Sequence, residues 1–392
     1  MRRPELLVIS PTAGGHHGEY LRWIVEGLRG LGVGAISVAA HPALVDAEPE
    51  ALADVDVRPL DGLDSLSAAG SLWATGRATG RLVQGAIEAT GAADVLLPAL
   101  DHAQLAFATA ARLPRGARVS GILLRATLHE PPATLPGRLR QWRKTTLLRL
   151  AARHPNLGAV LALDPGAVAP LRRLGLDARW LPDPVVAPAP GRTPERVRSA
   201  LGIEPGRAMW LLFGSLEERK GMFETLDALR RLPPDRARRV ALVLAGRTYD
   251  AIRPRLADAI GAARATGAQV IFEERFVPDA ELDDWVGAAD LVLALYRGHV
   301  GSSGVVLRAA ASGTPLLATE EGMVGREVRG HRLGQTVAVG DPAERAAALA
   351  RAIEAPQFGF DADSAEDYAS AHSVDEFARV LHSALFSDAP RP

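Results

Sequence analysis

The sequence predicts an α/β protein with two doubly wound domains, each built on a mainly parallel sheet with helices on both faces. Short segments that are apolar at nearly every position, such as Asp94–Leu100 and Val119–Leu124, alternate with helical stretches, as in βα units. The proline-rich segment 179–190 interrupts this alternation, which then begins again, so the segment is predicted to link two domains. A chain of 392 residues is long enough for two such cores.

The first domain, predicted over residues 1–187, opens with the strand Leu6–Ser10, a glycine-rich turn and a helix from about His17 to Leu31. In a doubly wound domain this turn lies at the carboxyl edge of the sheet, where ligands bind. Gly14 and Gly15 would allow a close approach of the backbone to a substrate, whereas the GxGxxG fingerprint of dinucleotide sites is absent. The other predicted elements are the strands Ala35–Ala40, Val57–Leu60, Asp94–Leu100, Val119–Leu124 and Gly158–Leu163, and helices at about Ser67–Thr90 and Ala103–Leu113.

Composition limits the chemistry that the chain can carry. With 45 Lys and Arg against 46 Asp and Glu, the net charge of −1 gives no global attraction for nucleic acid, and we expect no nucleic-acid partner. The absence of Cys excludes disulfides, thiolate metal ligands and a Cys nucleophile. The apolar run Leu6–Ile9 is too short for a signal peptide or a membrane span, so we expect a cytoplasmic protein.

Two patterns invite a metal interpretation, and neither supports one. The acidic triplet Asp54-Val55-Asp56 opens a short strand without a His or a further carboxylate to complete a ligand set. The adjacent His16 and His17 diverge and do not form a pair on one helix face. We therefore expect no metal ligands and no metal cofactor.

Residues 131–153 contain six basic residues and no acidic one. From Pro136 onward the segment is predicted to form a helix with several leucines and Trp142 among its apolar positions. Such a helix could rest on the inner face of an anionic membrane or attract an anionic acceptor. The alternative is a helix that buries its leucines in the core and keeps its arginines in water. Peripheral membrane contact through residues 136–153 is thus an open prediction.

The second domain is predicted over residues 188–360, and a polar helical tail over 361–388 is predicted to return to the first domain. The predicted strands of the second domain are Met209–Phe213, Val240–Ala245, Gln269–Glu273, Leu291–Leu295, Pro315–Thr319 and Gln335–Val339. The helices between them lie near Gly221–Leu232, Ala251–Gly267, Asp279–Ala288, Val305–Ser312 and Pro342–Ile353.

The stretch Gly298–Ala318 is the first candidate for a ligand site. It combines a loop rich in Gly and Ser with a helix that begins near Val305. A helix N-terminus presents backbone N–H groups and the positive end of the helix dipole, and both favour a phosphate. A tight loop without a ligand remains the alternative.

Several segments of the second half resemble the nucleotide-sugar domain of retaining GT-B glycosyltransferases of the large family 4, also called glycosyl transferases group 1. They are Phe213–Leu229, Leu242–Thr248, Arg275–Leu295 and Gly301–Val328, with Tyr368–Leu385 similar to the closing helix of that family. The first half is similar more loosely, through its glycine-rich first turn, His129 after a strand, and LPDPV before the second domain. The resemblance implies a GT-B fold, with two Rossmann-like domains facing a cleft and a C-terminal helix that crosses back to the first domain.

The resemblance also implies a set of donor contacts. In the family an Arg and a Lys-Gly pair follow a glycine that ends a strand, and both cations hold the donor diphosphate. Here Gly214 ends the strand, Ser215 stands where the Arg often stands, and Lys220 precedes the second glycine. Lys220 is the best-supported phosphate ligand, and Arg219 would replace the missing charge.

Two acidic residues of the family signature are replaced. Val300 and Arg308 stand where the resemblance expects a Glu beside the transferred sugar and a Glu on the donor ribose. A guanidinium only donates hydrogen bonds and cannot accept those of a ribose. Arg308 would then contact a phosphate, or form an ion pair with a carboxylate such as Glu320 or Glu327.

The remaining candidates complete the predicted site. Backbone N–H groups and hydroxyls of Ser302, Ser303, Gly304 and Val305 would receive the diphosphate. His299 would face the sugar.

Two candidates belong to the first domain. By resemblance, His129 would contact the donor sugar, and a structural role is the alternative. Glu19 would serve the acceptor as a ligand or base.

These residues imply transfer of a sugar from a nucleotide diphosphate sugar to an unknown acceptor with retention, where the acceptor is a glycan, a lipid-linked molecule or a small molecule. Positive charge would stabilise the leaving diphosphate without a metal. Two alternatives remain, a binding protein that retains the fold without transfer, or an enzyme that couples a non-sugar donor.

Overall fold

A computed structural model describes residues 4–12, 17–109, 112–126, 128, 135–189 and 191–386 of the chain. It consists of two compact units, one formed by Met1–Asp183 with Val374–Pro392 and the other by Pro184–Ser373. The sequence placed the boundary at residues 187/188 and assigned the whole of 361–388 to the first domain. The observed first boundary is thus four residues earlier, and only the last helix of the tail belongs to the first unit.

Parallel strands form the sheet of the first unit, in the order β3-β2-β1-β4-β5-β6-β7. Its strands are β1 (Leu6–Ser10), β2 (Ile36–Ala40), β3 (Asp56–Arg58), β4 (Asp94–Leu97), β5 (Arg118–Leu123), β6 (Leu157–Ala162) and β7 (Ala178–Trp180). Its helices are α1 (His17–Gly30), α2 (Pro42–Ala47), α3 (Leu63–Ser67), α4 (Leu72–Thr90), α5 (Gln104–Ala108), α6 (Leu135–Ala151) and α7 (Val168–Arg173), joined by the C-terminal α17 (Val374–Phe386).

The second unit repeats this architecture with a parallel sheet in the order β10-β9-β8-β11-β12-β13. Its strands are β8 (Ala208–Phe213), β9 (Val240–Ala245), β10 (Gln269–Glu273), β11 (Leu291–Ala294), β12 (Leu316–Thr319) and β13 (Gly334–Val337). Its helices are α8 (Pro194–Ala200), α9 (Met222–Arg230), α10 (Pro234–Ala237), α11 (Arg253–Arg264), α12 (Asp279–Ala288), α13 (Gly304–Ala311), α14 (Gly322–Gly330), α15 (Pro342–Glu354) and α16 (Ala362–Ala371).

The central strands of both sheets are buried on both faces, which explains their continuous apolar sequences. Every residue of β1 and of β9 is buried. In β8, Leu211 belongs to the core on one face of the sheet, while its neighbours Trp210 and Leu212 belong to the core on the other face. The period-two direction of side chains thus supplies two hydrophobic layers from one strand.

The tail predicted over 361–388 divides into two helices that pack on different units. Helix α16 packs on α13, whereas α17 packs on α1. Between them the chain is held by a hydrogen bond from the Val185 N–H to the His372 carbonyl oxygen (2.8 Å). On α17, Phe377 is fully buried, and a Cβ added at Gly27 of α1 would lie 2.6 Å from the Cβ of Ala378. Glycine is therefore required at 27 for the close approach of these two helices.

Candidate functional site

Two loops meet at the carboxyl edge of the second sheet, one after β8 and one after β11. These strands are neighbours, and the strand order reverses between them, because the chain leaves β8 toward β9 and later returns to β11 on the other side. In open α/β sheets such a switch point leaves a crevice in which ligands bind. A hydrogen bond from the Arg297 N–H to the Arg219 carbonyl oxygen (2.9 Å) joins the two loops.

Glycines give the loop after β8 its path. Gly221 has a φ of 77°, and a Cβ there would lie 2.0 Å from the carbonyl oxygen of Leu295 in the other loop. Only glycine therefore allows this contact. At the start of the loop, Gly214 has a φ of 107°, and its carbonyl oxygen would be 1.8 Å from a Cβ at Gly246. Both predicted glycine positions are thus backbone requirements of the site.

Lys220 lies beside the buried ring of Tyr296, which follows β11. Its ammonium nitrogen is 4.6 Å from the centre of that ring, a cation–π contact, and donates to the Tyr296 hydroxyl at 3.4 Å. Burial, and next the nearby charge of Arg219, lower the pKa of Lys220 to about 8. Burial also raises the pKa of Tyr296 to about 12, so its hydroxyl remains a neutral donor. Among the described residues no carboxylate forms an ion pair with Lys220, and only the charge of Glu217 opposes the lowering of its pKa, so a bound anion would stabilise the ammonium group.

Arg219 connects the two loops through side chains. Its Nε donates to Glu217 Oε2 (2.7 Å), and its Nη1 donates to His299 Nδ1 (3.3 Å). The other imidazole nitrogen, Nε2, then donates to the Ser302 carbonyl oxygen at 3.0 Å, which selects the neutral Nε2–H tautomer. Burial alone would raise the pKa of Glu217, but the hydrogen bond and charge of Arg219 outweigh it and hold the pKa below its usual range.

The N-terminus of α13 lies next to this network. Ser303 is the N-cap residue, but its side chain makes no capping hydrogen bond within the helix. Its hydroxyl instead pairs with the Tyr296 hydroxyl at 3.1 Å. The N–H groups of Val306 and Leu307 donate to the Ser303 carbonyl oxygen (2.9 and 3.1 Å), whereas those of Gly304 and Val305 precede the first intrahelical bonds. Ser303 therefore fixes Tyr296 and leaves the dipole end of the helix available to a ligand.

Two residues predicted to contact the donor form hydrogen bonds to carboxylates of the chain. Ser215 is exposed, and its hydroxyl donates to Glu217 at 3.2 Å. Arg308 donates from Nη2 to Asp279 Oδ1 (2.7 Å) and from Nη1 to Asp283 Oδ1 (2.8 Å). The ion-pair alternative is thus the one observed, but the named partners Glu320 and Glu327 were wrong. The reason is that α13 packs against α12, which carries both aspartates.

Other predicted site residues have different outcomes. Gly14, Gly15 and His129 lie outside the described residues, as does His16. Glu19 lies in the first turn of α1 in the first unit, where its acceptor role stays a prediction.

At the first of the two predicted signature positions, Val300 is 39% exposed, and the following Gly301 has a φ of 96°. Neither Val300 nor Arg308 provides a carboxylate at the two positions where the resemblance predicts one.

Two residues that shape the site, Tyr296 and Glu217, were not predicted from the sequence. Tyr296 supports the predicted ligand Lys220, and Glu217 holds Arg219 in place. One signal for Tyr296 was available, because it comes two residues after the end of a buried strand, at the edge where ligands bind. Its partner, however, comes from a loop 76 residues earlier, and such a pairing follows only from the strand order.

The described residues contain no group of three or more His, Cys, Asp or Glu side chains that could hold a metal. Within the acidic triplet, Asp56 Oδ2 accepts from Ser37 Oγ and from Arg58 Nε, both at 2.7 Å. In the described part of the chain, no helix is both long enough and apolar enough to cross a bilayer.

Comparison with known proteins extends these observations. Residues 207–355 match the family described as glycosyl transferases group 1. A stretch of 169 residues, 41% of this chain, is 30% identical to D-inositol 3-phosphate glycosyltransferase 2 of Catenulispora acidiphila, and the match spans 38% of that relative's length.

Solved structures match over almost the whole chain. Anabaena HepE in complex with UDP has a TM-score of 0.71 at 18% identity, covering 97% of this chain and 98% of its own. Sucrose-phosphate synthase from Thermosynechococcus elongatus has a TM-score of 0.70 at 17% identity, with the same coverage of both chains. The chain therefore has the GT-B fold, and over residues 207–355 its second domain matches the glycosyl transferases group 1 family.

Proposed function

We propose that this protein is a glycosyltransferase that binds a nucleotide diphosphate sugar at the carboxyl edge of its second sheet and transfers the sugar to an acceptor. The observation that carries the proposal is the convergence of Lys220, Arg219 and the N-terminus of α13 at one switch point. Each of these groups favours a phosphate, and their combination fits a diphosphate better than any neutral ligand. The family match of residues 207–355 and the UDP bound to HepE agree with this choice.

The proposed chemistry is substitution at the anomeric carbon of the sugar. The bond from that carbon to the diphosphate oxygen breaks, and a bond to an acceptor oxygen forms, through a transition state with oxocarbenium character. The acceptor hydroxyl gives its proton to the leaving diphosphate. Negative charge grows on the leaving diphosphate, where Lys220, Arg219 and the N–H groups of α13 would stabilise it. The three sources of positive potential would perform the role that a divalent metal performs in other transferases.

Retention of anomeric configuration and independence from metal are parts of the proposal that rest on the resemblance to family 4. The role of His129 beside the sugar rests on the same resemblance. The roles of His299 beside the sugar and of Glu19 toward the acceptor rest on their positions in the sequence. His299 is restrained by Arg219 and by the Ser302 carbonyl oxygen, so its ring has a fixed position at the loop that would receive the donor. The acceptor, whether a glycan, a lipid-linked molecule or a small molecule, is to be found by assay.

A second candidate function follows from Val300 and Arg308. Without the two expected carboxylates, the site could bind a nucleotide without transferring a sugar, or could couple a non-sugar donor. The observation behind this candidate is that Arg308 pairs with Asp279 and Asp283, so its side chain is engaged in ion pairs and offers no carboxylate to a ribose. Donor hydrolysis distinguishes the candidates, since a transferase slowly hydrolyses its donor and a binding protein leaves it intact.

Thermal-shift measurements with UDP-, GDP-, ADP- and TDP-sugars test donor binding. A donor present at 100 times its Kd should stabilise the domain by about 2.7 kcal/mol, which is roughly 5–10 °C in Tm for a domain of this size. We expect one nucleotide class to produce the shift and Lys220→Ala to abolish it. Arg351→Ala, which removes an exposed cation of α15 in the same unit, should shift as the wild type does. Failure of all four nucleotide classes would overturn the donor site.

The lysine content of the chain offers a second test with an internal control. Lys220 and Lys144 are its two lysines, and they lie in different units. Acylation followed by mass spectrometry therefore measures the reactivity of Lys220, at the proposed site, separately from that of Lys144. The bound donor should slow acylation of Lys220 and leave Lys144 unchanged, whereas equal protection of both would indicate a general effect on the protein.

A further inference from the structure

Helix α6 has a second apolar face that the core of its unit does not use. Lys144, Leu148 and Ala151 lie on its inner side, and Leu148 and Ala151 are buried. The Lys144 ammonium group donates to the Arg125 carbonyl oxygen and lies 3.9 Å from Asp101 Oδ1, which fastens the helix to the loop after β5. The inward face of α6 is therefore accounted for.

On the opposite side, large apolar side chains point into water. Leu135, Leu139, Trp142 and Leu150 are 78%, 64%, 66% and 41% exposed. At about 100° per residue, these four positions fall within an arc of about 80° on the far side of the helix from Leu148. Packing on the core accounts for the apolar residues on the inward face of α6. It does not account for the exposed apolar stripe on the outward face.

Arginines flank the stripe on both of its borders. Arg138 and Arg149 lie on one border and Arg143 on the other, and all three are exposed. The sequence from 131 to 153 holds no Asp or Glu. An apolar stripe between two basic borders is the pattern of a helix that lies in the plane of an anionic membrane, with Trp at the headgroup level and Arg on the lipid phosphates.

We propose that α6 binds the surface of an anionic lipid bilayer through this stripe. Two copies of the chain could also cover the stripe, but a two-fold contact would bring the arginine borders of both copies together without an acid between them. A bilayer supplies both the apolar interior and the negative charge, so it fits the two properties of the surface at once. The contact is independent of donor binding in the second unit, so either proposal can fail alone.

Vesicle flotation of the full chain tests the proposal. We expect binding to equimolar phosphatidylglycerol and phosphatidylcholine at low ionic strength, and much weaker binding to phosphatidylcholine alone. The double variant Arg138→Gln/Arg143→Gln should bind about 30-fold more weakly, since each basic residue near an anionic leaflet contributes about 1 kcal/mol. A charge-matched control, Arg196→Gln/Arg351→Gln, removes two exposed arginines of the second unit and should bind as the wild type does.

A fluorescent probe locates the contact, because the chain has no cysteine and a single introduced Cys is labelled uniquely. An environment-sensitive dye on Leu139→Cys should shift to the blue when anionic vesicles are added. The same dye on Trp73→Cys, an exposed position of α4, should not shift. Equal shifts at both positions, or equal flotation of all variants, would overturn the proposal. A dimer in the ultracentrifuge that Trp142→Gln dissociates would assign the stripe to a second copy instead.

Discussion

Donor binding should weaken above pH 8 through one ionisation, that of Lys220. Its pKa of about 8 lies below the ordinary lysine value because of burial and of the adjacent Arg219 charge. A bound diphosphate stabilises the ammonium form, so the donor binds the protonated protein. The sign follows directly: the charged form is present below pH 8, and affinity is lost as the pH rises through that value.

The size of the effect follows from the fraction protonated. With a pKa of about 8, Lys220 is about 90% charged at pH 7 and about 10% charged at pH 9. If only the charged form binds, the observed Kd rises about tenfold between these pH values, which is about 1.4 kcal/mol. A nucleotide sugar is suitable because its diphosphate diester does not itself titrate in this range.

Isothermal titration calorimetry at pH 7, 8 and 9 measures this dependence, using the nucleotide sugar with the largest thermal shift. Lys220→Arg is the informative control, because its guanidinium stays charged at pH 9 and should give a flat profile. Circular dichroism at each pH verifies that the fold is unchanged. A wild-type Kd that changes less than twofold, or a Lys220→Arg profile as steep as the wild type, would refute the assignment of Lys220 to the diphosphate.

The remaining predictions concern stability and the support of Lys220. Lys220→Met should raise the stability of the donor-free protein by about 1–3 kcal/mol at pH 7 in urea unfolding, because it removes a cation whose charged form is disfavoured. Tyr296→Phe retains the ring but removes the hydroxyl between Lys220 and Ser303, and should weaken donor binding by about 1 kcal/mol in calorimetry. Arg308→Ala should cost about 1–3 kcal/mol in the same unfolding assay, and an unchanged midpoint would contradict the ion pairs. Phe377→Ala should lower stability by about 3–5 kcal/mol, because the ring is fully buried against α1.

The fold follows from the sequence because parallel strands buried on both faces are apolar at nearly every position. The sequence located β9 and β10 without error, Val240–Ala245 and Gln269–Glu273. It joined Ser67–Thr90 into one helix, whereas the structure has a break at which Ser71 Oγ caps α4 by accepting from the Ala74 N–H at 3.2 Å. The amphipathic pattern continues across such a break, so periodicity alone does not reveal it.

The site was partly predictable for a different reason. Lys220 and the loop at Ser302–Val305 were proposed from local motifs, which need only a few consecutive residues, and the structure brings their two loops together. The support of Lys220 by Tyr296 depends on β8 and β11 being neighbours, and the partners of Arg308 depend on which helix faces α13. Both are tertiary contacts between residues far apart in the sequence. The charge of a residue alone does not identify its partner in such a contact. The same limit applied to α6, whose apolar residues could have faced either the core or the solvent.

The two positions at which the resemblance predicts an acid have different surroundings. Val300 is exposed and uncharged, so this position provides no carboxylate. Arg308 is part of an ion-pair cluster with Asp279 and Asp283, and burial raises the pKa of Asp283 despite the opposing effect of that arginine. A Glu at position 308 would therefore face two carboxylates and could not occur without changes in α12. Under the proposed function, the guanidinium at position 308 offers no acceptor for a ribose hydroxyl. We therefore expect donor affinity to come mainly from the diphosphate, at Lys220, Arg219 and the N-terminus of α13.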